Sequence, residues 1–427
     1  MDHLTGPRRL TLRCRWLLPM AGPPLDNAWL AIEGGRIAGF GRGTPSAAAA
    51  AVVDLGDAIL VPGLVNAHTH LEFSDRSEPL EAGGGLPAWI GRLVAARRTR
   101  AVDHTPGHDA QAGVVKAIRR GLAESAAAGV TTIGEIATLA PPAAYRGPGP
   151  MVRVFREGLG LRAAAVAAVP RGVVADLDRL AAAGIAAGLS PHAPYSVAAP
   201  LGRRLLDLAR SRHLPAAMHL LESREEEELL ATGGGPFRRL LEELGAWDAL
   251  APPVLLPPAE WIGRLARTRR GIVVHATEIG RDPGALARLA RHRDRLAVVI
   301  CPRTTEVISG GPPPLAILRG AGVRVAIGTD SRASNPDLSV LAECRTLVDG
   351  GLASPEEVLR MATVEGAWAL GLDRHAGRIA VGRPADVVVL RPAGATPAAT
   401  DPFAAALDPA LTVSATLRRG RLIAGGF

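Results

Sequence analysis

Two histidines one residue apart, His68 and His70 in the run VPGLVNAHTH, are the first residues of this chain whose type and spacing point to chemistry. In an extended strand residues i and i+2 share a face. Both imidazoles therefore point the same way and can grip one metal ion; the plainer alternative is two hydrogen-bonded histidines at a strand end. Further along, His192, His219 with Glu222 three residues on, His275 and Asp330 also follow short apolar runs. His68, His70, His219 and Asp330 together offer three imidazole nitrogens and one carboxylate oxygen without a thiolate, a set that suits zinc or iron(II). Such an ion keeps a position open for water and lowers the pKa of that water towards neutrality, which makes a nucleophile. Asp330 can accept a proton from it, Glu222 is close enough to shuttle one, and His275 can polarise or orient the same water.

These residues need a scaffold that brings distant segments to one place. From about Leu60 to Leu372, apolar strands of roughly five to eight residues alternate with amphipathic or alanine-rich helices. The strand candidates are Ile59–Asn66, Val130–Glu135, Val152–Glu157, Ala186–His192, Ala216–Leu221, Gly271–Ala276, Leu296–Cys301 and Val323–Thr329. Eight strands, each followed by a helix, is the count of a closed parallel barrel, and such barrels carry their active sites at the C-terminal ends of the strands. Five of the eleven histidines (68, 70, 192, 219 and 275) fall at predicted strand ends, as does Asp330. His3, His104, His108, His213, His292 and His375 do not. Both termini read differently, as short strands with turns: LTLRCRWLL, NAWLAIEGGRIAGFG with a turn at Gly34-Gly35, ADVVVL, and LTVSATLRRGRLIAGGF. The expected architecture is α/β, a (β/α)8 TIM-like barrel over residues 59–375 with a small flanking β-sandwich built from residues 1–58 and 376–427. The alanine run 47–51 is expected to be a low-complexity loop or helix tip.

Composition removes several function classes. The chain has 427 residues and a net charge of +8, but the charge is almost all arginine, with Lys116 the single lysine, and aromatics make up only 3%. Nucleic-acid binding would want basic residues clustered with aromatics, so none is expected. No stretch of about 18 apolar residues suggests a membrane span. The basic start at Arg8, Arg9, Arg13 and Arg15 is followed by WLLPMAG, which is too short for a signal peptide and contains Pro19, so a cytoplasmic protein is expected. Cys14, Cys301 and Cys344 form no CxxC pair, so neither a disulfide framework nor a thiolate zinc site is indicated. A two-metal barrel site would need a bridging group, typically a carboxylated lysine, at the end of strand four. His192 stands there, so one divalent ion is expected, zinc first and iron(II) second.

The runs PGLVNAHTHLEFS, HAPYS around His192, MHLLES around His219, VVHATE around His275 and AIGTDSRASN around Asp330 resemble the amidohydrolase superfamily. Within it they resemble the branch of cytosine, guanine, S-adenosylhomocysteine and aminofutalosine deaminases and triazine chlorohydrolases. GRIAVGRPADVVVL at 377–390 is similar to the family's return from barrel to sandwich, so the resemblance covers nearly the whole chain. It implies a metal held by His68, His70, His219 and Asp330, with Glu222 as acid/base and His275 beside it. His192 would contact substrate; a histidine capping the strand-four turn is its other reading. The implied reaction is attack of metal-bound hydroxide on the ring carbon carrying an exocyclic amine, with Glu222 passing a proton to the ring nitrogen and ammonia leaving. The substrate would be a small aminopurine-type heterocycle, an aminofutalosine or adenosine-like nucleoside first, and the resemblance is compatible with a homodimer. A chlorohydrolase or cyclic-amide hydrolase is the alternative enzyme, and a barrel that binds a ligand without turnover is the rival outside the class. The unrelated zinc deaminases with HxE and PCxxC are excluded by the missing cysteine pair.

The chain departs from the better-known members at Ala276, where a cysteine is common, and at the run CPRTT, where an asparagine-rich segment is common. Arg303 in that run can meet an anionic substrate as a bidentate partner or fix a loop. Trp89 either forms the apolar face of a helix or lines the substrate pocket. Ser334 and Asn335 look like a turn that holds Asp330. Glu225–Glu228 read as a solvated helix start favoured by the helix dipole, and the glycine runs 83–85 and 233–235 as flexible loops over the barrel mouth.

Overall fold

In the computed structural model, which describes residues 9–44, 51–101, 110–394 and 400–427, eight short apolar runs form the parallel strands of one sheet. The strands are Leu64–Thr69, Val130–Ala137, Met151–Gly158, Ala186–Pro191, Ala216–Leu220, Gly271–His275, Leu296–Ile300 and Arg324–Ile327, and they lie side by side in chain order. This is the expected TIM-like barrel, and all but the first strand sit within two residues of their expected positions. In Leu296–Ile300, Ala297 and Val299 join the barrel interior while Leu296, Val298 and Ile300 join the larger core that includes the helix residues Trp261 and Leu318. Burial on both faces is why the run is continuously apolar rather than alternating. Most of the alanine run at 47–51, with His3, His104 and His108, lies outside the described residues.

The first expected strand is corrected. Ile59–Asn66 is two elements: Ile59–Pro62 pairs antiparallel with Val387–Pro392 in a second sheet, and the barrel strand starts only at Leu64. Gly63 carries the chain between them. A side chain there would overlap Thr131 of the second barrel strand, so only glycine lets the backbone pass.

Barrel closure involves the residues singled out for chemistry. The last strand meets the first through a parallel bridge between Thr69 and Asp330. The Thr329 and Asp330 N–H groups both donate to the His68 carbonyl at 3.1 Å, and Thr69 Oγ1 donates to the Asp330 carbonyl at 2.5 Å. A Cβ on Gly328 would stand 2.7 Å from the His68 carbonyl oxygen, so the two strands approach this closely because that position has no side chain.

The second sheet is mostly antiparallel and comes from both termini, in the order Arg421–Gly425, Leu411–Arg418, Val387–Pro392, Ile59–Pro62, Arg9–Leu17, Leu25–Glu33 and Arg36–Arg42, with Val52–Asp54 beside Arg9–Leu17. It has its own core, including Leu12, Leu30, Leu60, Val387 and Leu417. The two glycine runs are helix boundaries rather than free loops. Helix Gly85–Ala101 begins at the first, and Gly233 ends helix Arg224–Thr232 just before helix Gly235–Glu243. No described helix is long and apolar enough to cross a membrane.

Candidate metal-dependent active site

His68 is the last residue but one of its strand, and His70 follows one residue beyond the strand's end. The first, fifth, sixth and eighth strands deliver four imidazoles and a carboxylate to one place. The His68 ring lies 5.0 Å from His70, 5.0 Å from His219 and 5.6 Å from His275, centroid to centroid. Asp330 Oδ1 is 3.6 Å from His68 Nε2 and 3.8 Å from His70 Nε2, while His70 Nε2 and His219 Nε2 face each other at 3.4 Å. His68, His70 and His219 can each turn one nitrogen to a shared point, their ligand atoms all lying within 4.8 Å of one another.

The donor chemistry fits a divalent cation. His68 is buried, and neither of its ring nitrogens has a hydrogen-bond partner among the described residues, a cost of about 1–3 kcal/mol for each such group that a bound cation relieves. Burial, then the neighbouring His68, depresses His70 well below the ordinary imidazole value; burial, then His192, does the same to His219. Neutral imidazoles keep the lone pairs that a ligand needs. Burial alone would raise the Asp330 carboxyl, but the ring nitrogens of His68 and His70, 3.6 Å and 3.8 Å from Oδ1, outweigh it and hold the group well below the usual carboxylate range. Ser334 Oγ donates to Asp330 Oδ2 at 2.7 Å, and Asn335 Nδ2 ties the Thr329 carbonyl to Glu343 Oε1. Cys301 is buried with its thiol pushed up by burial, so it supplies no thiolate.

Glu222 occupies the opposite electrostatic position. Its Oε1 is 3.5 Å from His275 Nε2, and Tyr195 Oη donates to its Oε2 at 3.3 Å. Burial, reinforced by Glu226 and Asp330, pushes its carboxyl well above the ordinary value, while burial lowers His275 to about 4. Leu221, His275, Ala276 and Asp330 all adopt positive φ, between 54° and 69°. Backbone strain of this kind costs about 1–2 kcal/mol per residue for ordinary side chains, and it gathers at strand ends that aim functional groups.

Three buried carboxylates were missed by the sequence reading. Glu226, expected in a solvated run, is 1% exposed and accepts the Leu221 and Glu222 N–H groups at 3.0 Å each, which fixes the backbone that carries Glu222. The available signal was Ser223 three residues before it, a cap-type spacing; Ser223 does cap the helix. Glu135 and Glu157 end the second and third expected strands, so the rule that found the histidines applies equally to them. Glu135 accepts the Leu71 N–H at 2.9 Å, immediately after His70.

A cavity of about 200 Å³ opens over the cluster. One wall is apolar, with Trp89, Leu93, Leu161 and Leu241 beside Phe237, on which Tyr195 stacks at 4.2 Å. His192 lines the other side; its Nδ1 is 2.6 Å from Ser196 Oγ, and its carbonyl accepts from His219 Nδ1 at 2.9 Å. Arg303 is not among the cavity-lining residues. Its guanidinium is held by Glu343 at 2.8 Å and by Asp337 at 2.6 Å, so the structure gives it the loop-fixing part of its two readings and not the substrate contact. Because Glu343 is fully buried, Arg303→Met would strand its charge and is expected to cost about 3 kcal/mol of stability, read from the urea midpoint. The substrate KM should move less than about threefold, as only side chains outside the pocket are lost. A large rise in KM with unchanged stability would restore the substrate-contact reading.

A sequence profile described as "Amidohydrolase family" matches residues 59–423. A 5-methylthioadenosine/S-adenosylhomocysteine deaminase of Desulforudis audaxviator is 30% identical over 404 residues, covering 90% of this chain and 85% of that protein. Among solved structures, an adenosine deaminase from Xanthomonas campestris with bound zinc is 25% identical with a TM-score of 0.74, covering 97% and 92% of the two chains. The Helicobacter pylori aminofutalosine deaminase in complex with methylthio-coformycin superposes with a TM-score of 0.79 at 22% identity, covering 96% and 99%.

Proposed function

This chain belongs to the amidohydrolase family, hydrolases of carbon–nitrogen bonds, and from that premise we propose that it deaminates an adenosine-like nucleoside, a 5′-substituted adenosine or aminofutalosine, in the cytoplasm. One divalent ion, zinc first, would be held by His68, His70, His219 and Asp330. When bound it would supply Lewis acidity, lowering the pKa of water towards neutrality.

The observation that carries the reading is the pair of opposed carboxyls around neutral imidazoles: Glu222 is pushed up and Asp330 is held down. Titratable groups driven apart in this way mark the acid and the base of a site. Asp330, ionised, takes the proton from the attacking water. Glu222, which holds a proton between His275 and Tyr195, gives it to the ring nitrogen next to the carbon under attack. That carbon becomes tetrahedral; the proton held by Asp330 passes to the amine, which leaves as ammonia, and the proton of the added hydroxyl returns to Glu222 as the carbonyl forms. Neutral His275 orients the water without competing for its proton. The apolar wall around Trp89 and Phe237 excludes bulk water and suits a flat ring.

The test is ammonia release by the metal-loaded protein from a panel of adenosine, 5′-methylthioadenosine, S-adenosylhomocysteine, aminofutalosine, guanine, cytosine and aminotriazines. Release confined to adenosine-type nucleosides is expected. If no amine releases ammonia while metal analysis finds a filled site, deamination is abandoned, and halide-bearing and ring-amide substrates replace the panel.

A further inference from the structure

Glu157 is a buried carboxylate that the proposed chemistry does not use. It is the last residue but one of the third barrel strand, is 2% exposed and lines the cavity. Its Oε2 accepts from Thr138 Oγ1 at 2.8 Å, while its Oε1, also buried, has no hydrogen-bond partner among the described residues. The nearby Arg97 makes no hydrogen bond to that oxygen: its Nη2 reaches Glu72 at 2.6 Å and Thr138 at 3.1 Å, and its buried Nε has no partner among the described residues either. His192 Nε2 stands 4.0 Å from Oε1, too far for a hydrogen bond. Assigning the Ser196 hydroxyl hydrogen to the Ala193 carbonyl, 3.2 Å away, makes His192 Nδ1–H the donor to Ser196 Oγ and leaves Nε2 a second acceptor. Two acceptors about one hydroxyl pair apart, on the cavity wall and without protein donors, call for a ligand that brings donors.

Resting on the nucleoside reading above, we propose that Glu157 is a specificity-determining residue whose free oxygen, beside His192, accepts a hydrogen bond from a hydroxyl of the substrate's sugar, so that the site selects ribonucleosides over their deoxy counterparts. The competing use of the same atoms is a second cation held by Glu157, His192 and His219, whose ligand atoms also lie within 4.8 Å of one another. His219 argues against it. Its Nδ1 faces the His192 carbonyl at 2.9 Å and so carries the hydrogen. Only Nε2 keeps a lone pair, and that nitrogen already faces His70 at 3.4 Å. One lone pair serves one ion.

The experiment compares adenosine with 2′-deoxyadenosine and 3′-deoxyadenosine, using calorimetric affinity on the wild-type protein and kcat/KM for any that turn over. Adenosine is expected to be favoured over at least one deoxy analogue by about 10- to 100-fold, the worth of a hydrogen bond to a charged group. Glu157→Gln should remove most of that preference, weakening adenosine while moving the analogue that lacks the bound hydroxyl by less than about threefold. A residue that merely props His192 would weaken all three equally, and that result overturns the proposal. Equal wild-type affinities overturn it without any variant. Two ions per chain in the wild type and one in Glu157→Gln would make Glu157 a metal ligand and overturn it as well. Affinity is read without turnover, so a preference for adenosine that Glu157→Gln removes supports the sugar contact even where no ammonia appears and only the deaminase reading falls.

Discussion

Glu222→Gln is expected to lower kcat for deamination by about 10³-fold, within the range for loss of a positioned general acid, while the protein unfolds at nearly the wild-type urea concentration. The amide is almost isosteric and can still accept from Tyr195 Oη, now 3.3 Å from Oε2. It leaves the backbone untouched, since Glu226 goes on accepting the Leu221 and Glu222 N–H groups. What it cannot do is hold a proton and release it to a ring nitrogen. The carboxylic acid can, because burial first, and Glu226 and Asp330 after it, keep its proton on well above the ordinary carboxyl range. The loss should fall on kcat more than on KM, since proton transfer belongs to the transition state and not to binding. Near-wild-type kcat in a folded Glu222→Gln protein would remove Glu222 from the mechanism.

Asp330→Asn should have the larger effect, about 10⁴-fold on kcat/KM, equivalent to the several kcal/mol that an organised cation contributes, together with a metal content well below one ion per chain. Asn is the better replacement than Ala because Asp330 sits at φ 55°, a conformation that Asn tolerates and Ala resists. The contacts that close the barrel at this residue use its backbone: its N–H donates to the His68 carbonyl, and its carbonyl accepts from Thr69. The fold should therefore survive, and circular dichroism should show it. Removing the carboxylate charge takes away both the anionic ligand and the proton acceptor that His68 and His70 hold ionised. Full metal occupancy with high activity in Asp330→Asn would sink both assignments. Chelation of the wild type should reproduce the loss of activity, and added zinc should reverse it.

A good deal of this protein was legible in its residues alone. Strand and helix periods are local properties, so eight apolar runs separated by helical stretches were enough to expect the barrel. The rule that barrel strands carry chemistry at their C-terminal ends then singled out His68, His70, His192, His219, His275 and Asp330 without any knowledge of distance. Their polarity stands out because each interrupts an apolar run. Tertiary structure alone decided the rest. That Ile59–Pro62 leaves the barrel for the second sheet depends on pairing with Val387–Pro392, more than 300 residues away in the chain; Pro62-Gly63 marks a break in the run, but nothing local names the partner. Arg303 could be read either towards a substrate or towards a loop until Glu343 and Asp337 were placed beside it. The acidic run after Glu222 reads as solvent-facing because charge usually is. Glu226 is buried instead because two backbone N–H groups at the strained turn of Leu221 need an acceptor there. A side chain's identity states which hydrogen bonds it is able to make; which of them it does make is set by neighbours that only the folded chain brings within about 3 Å.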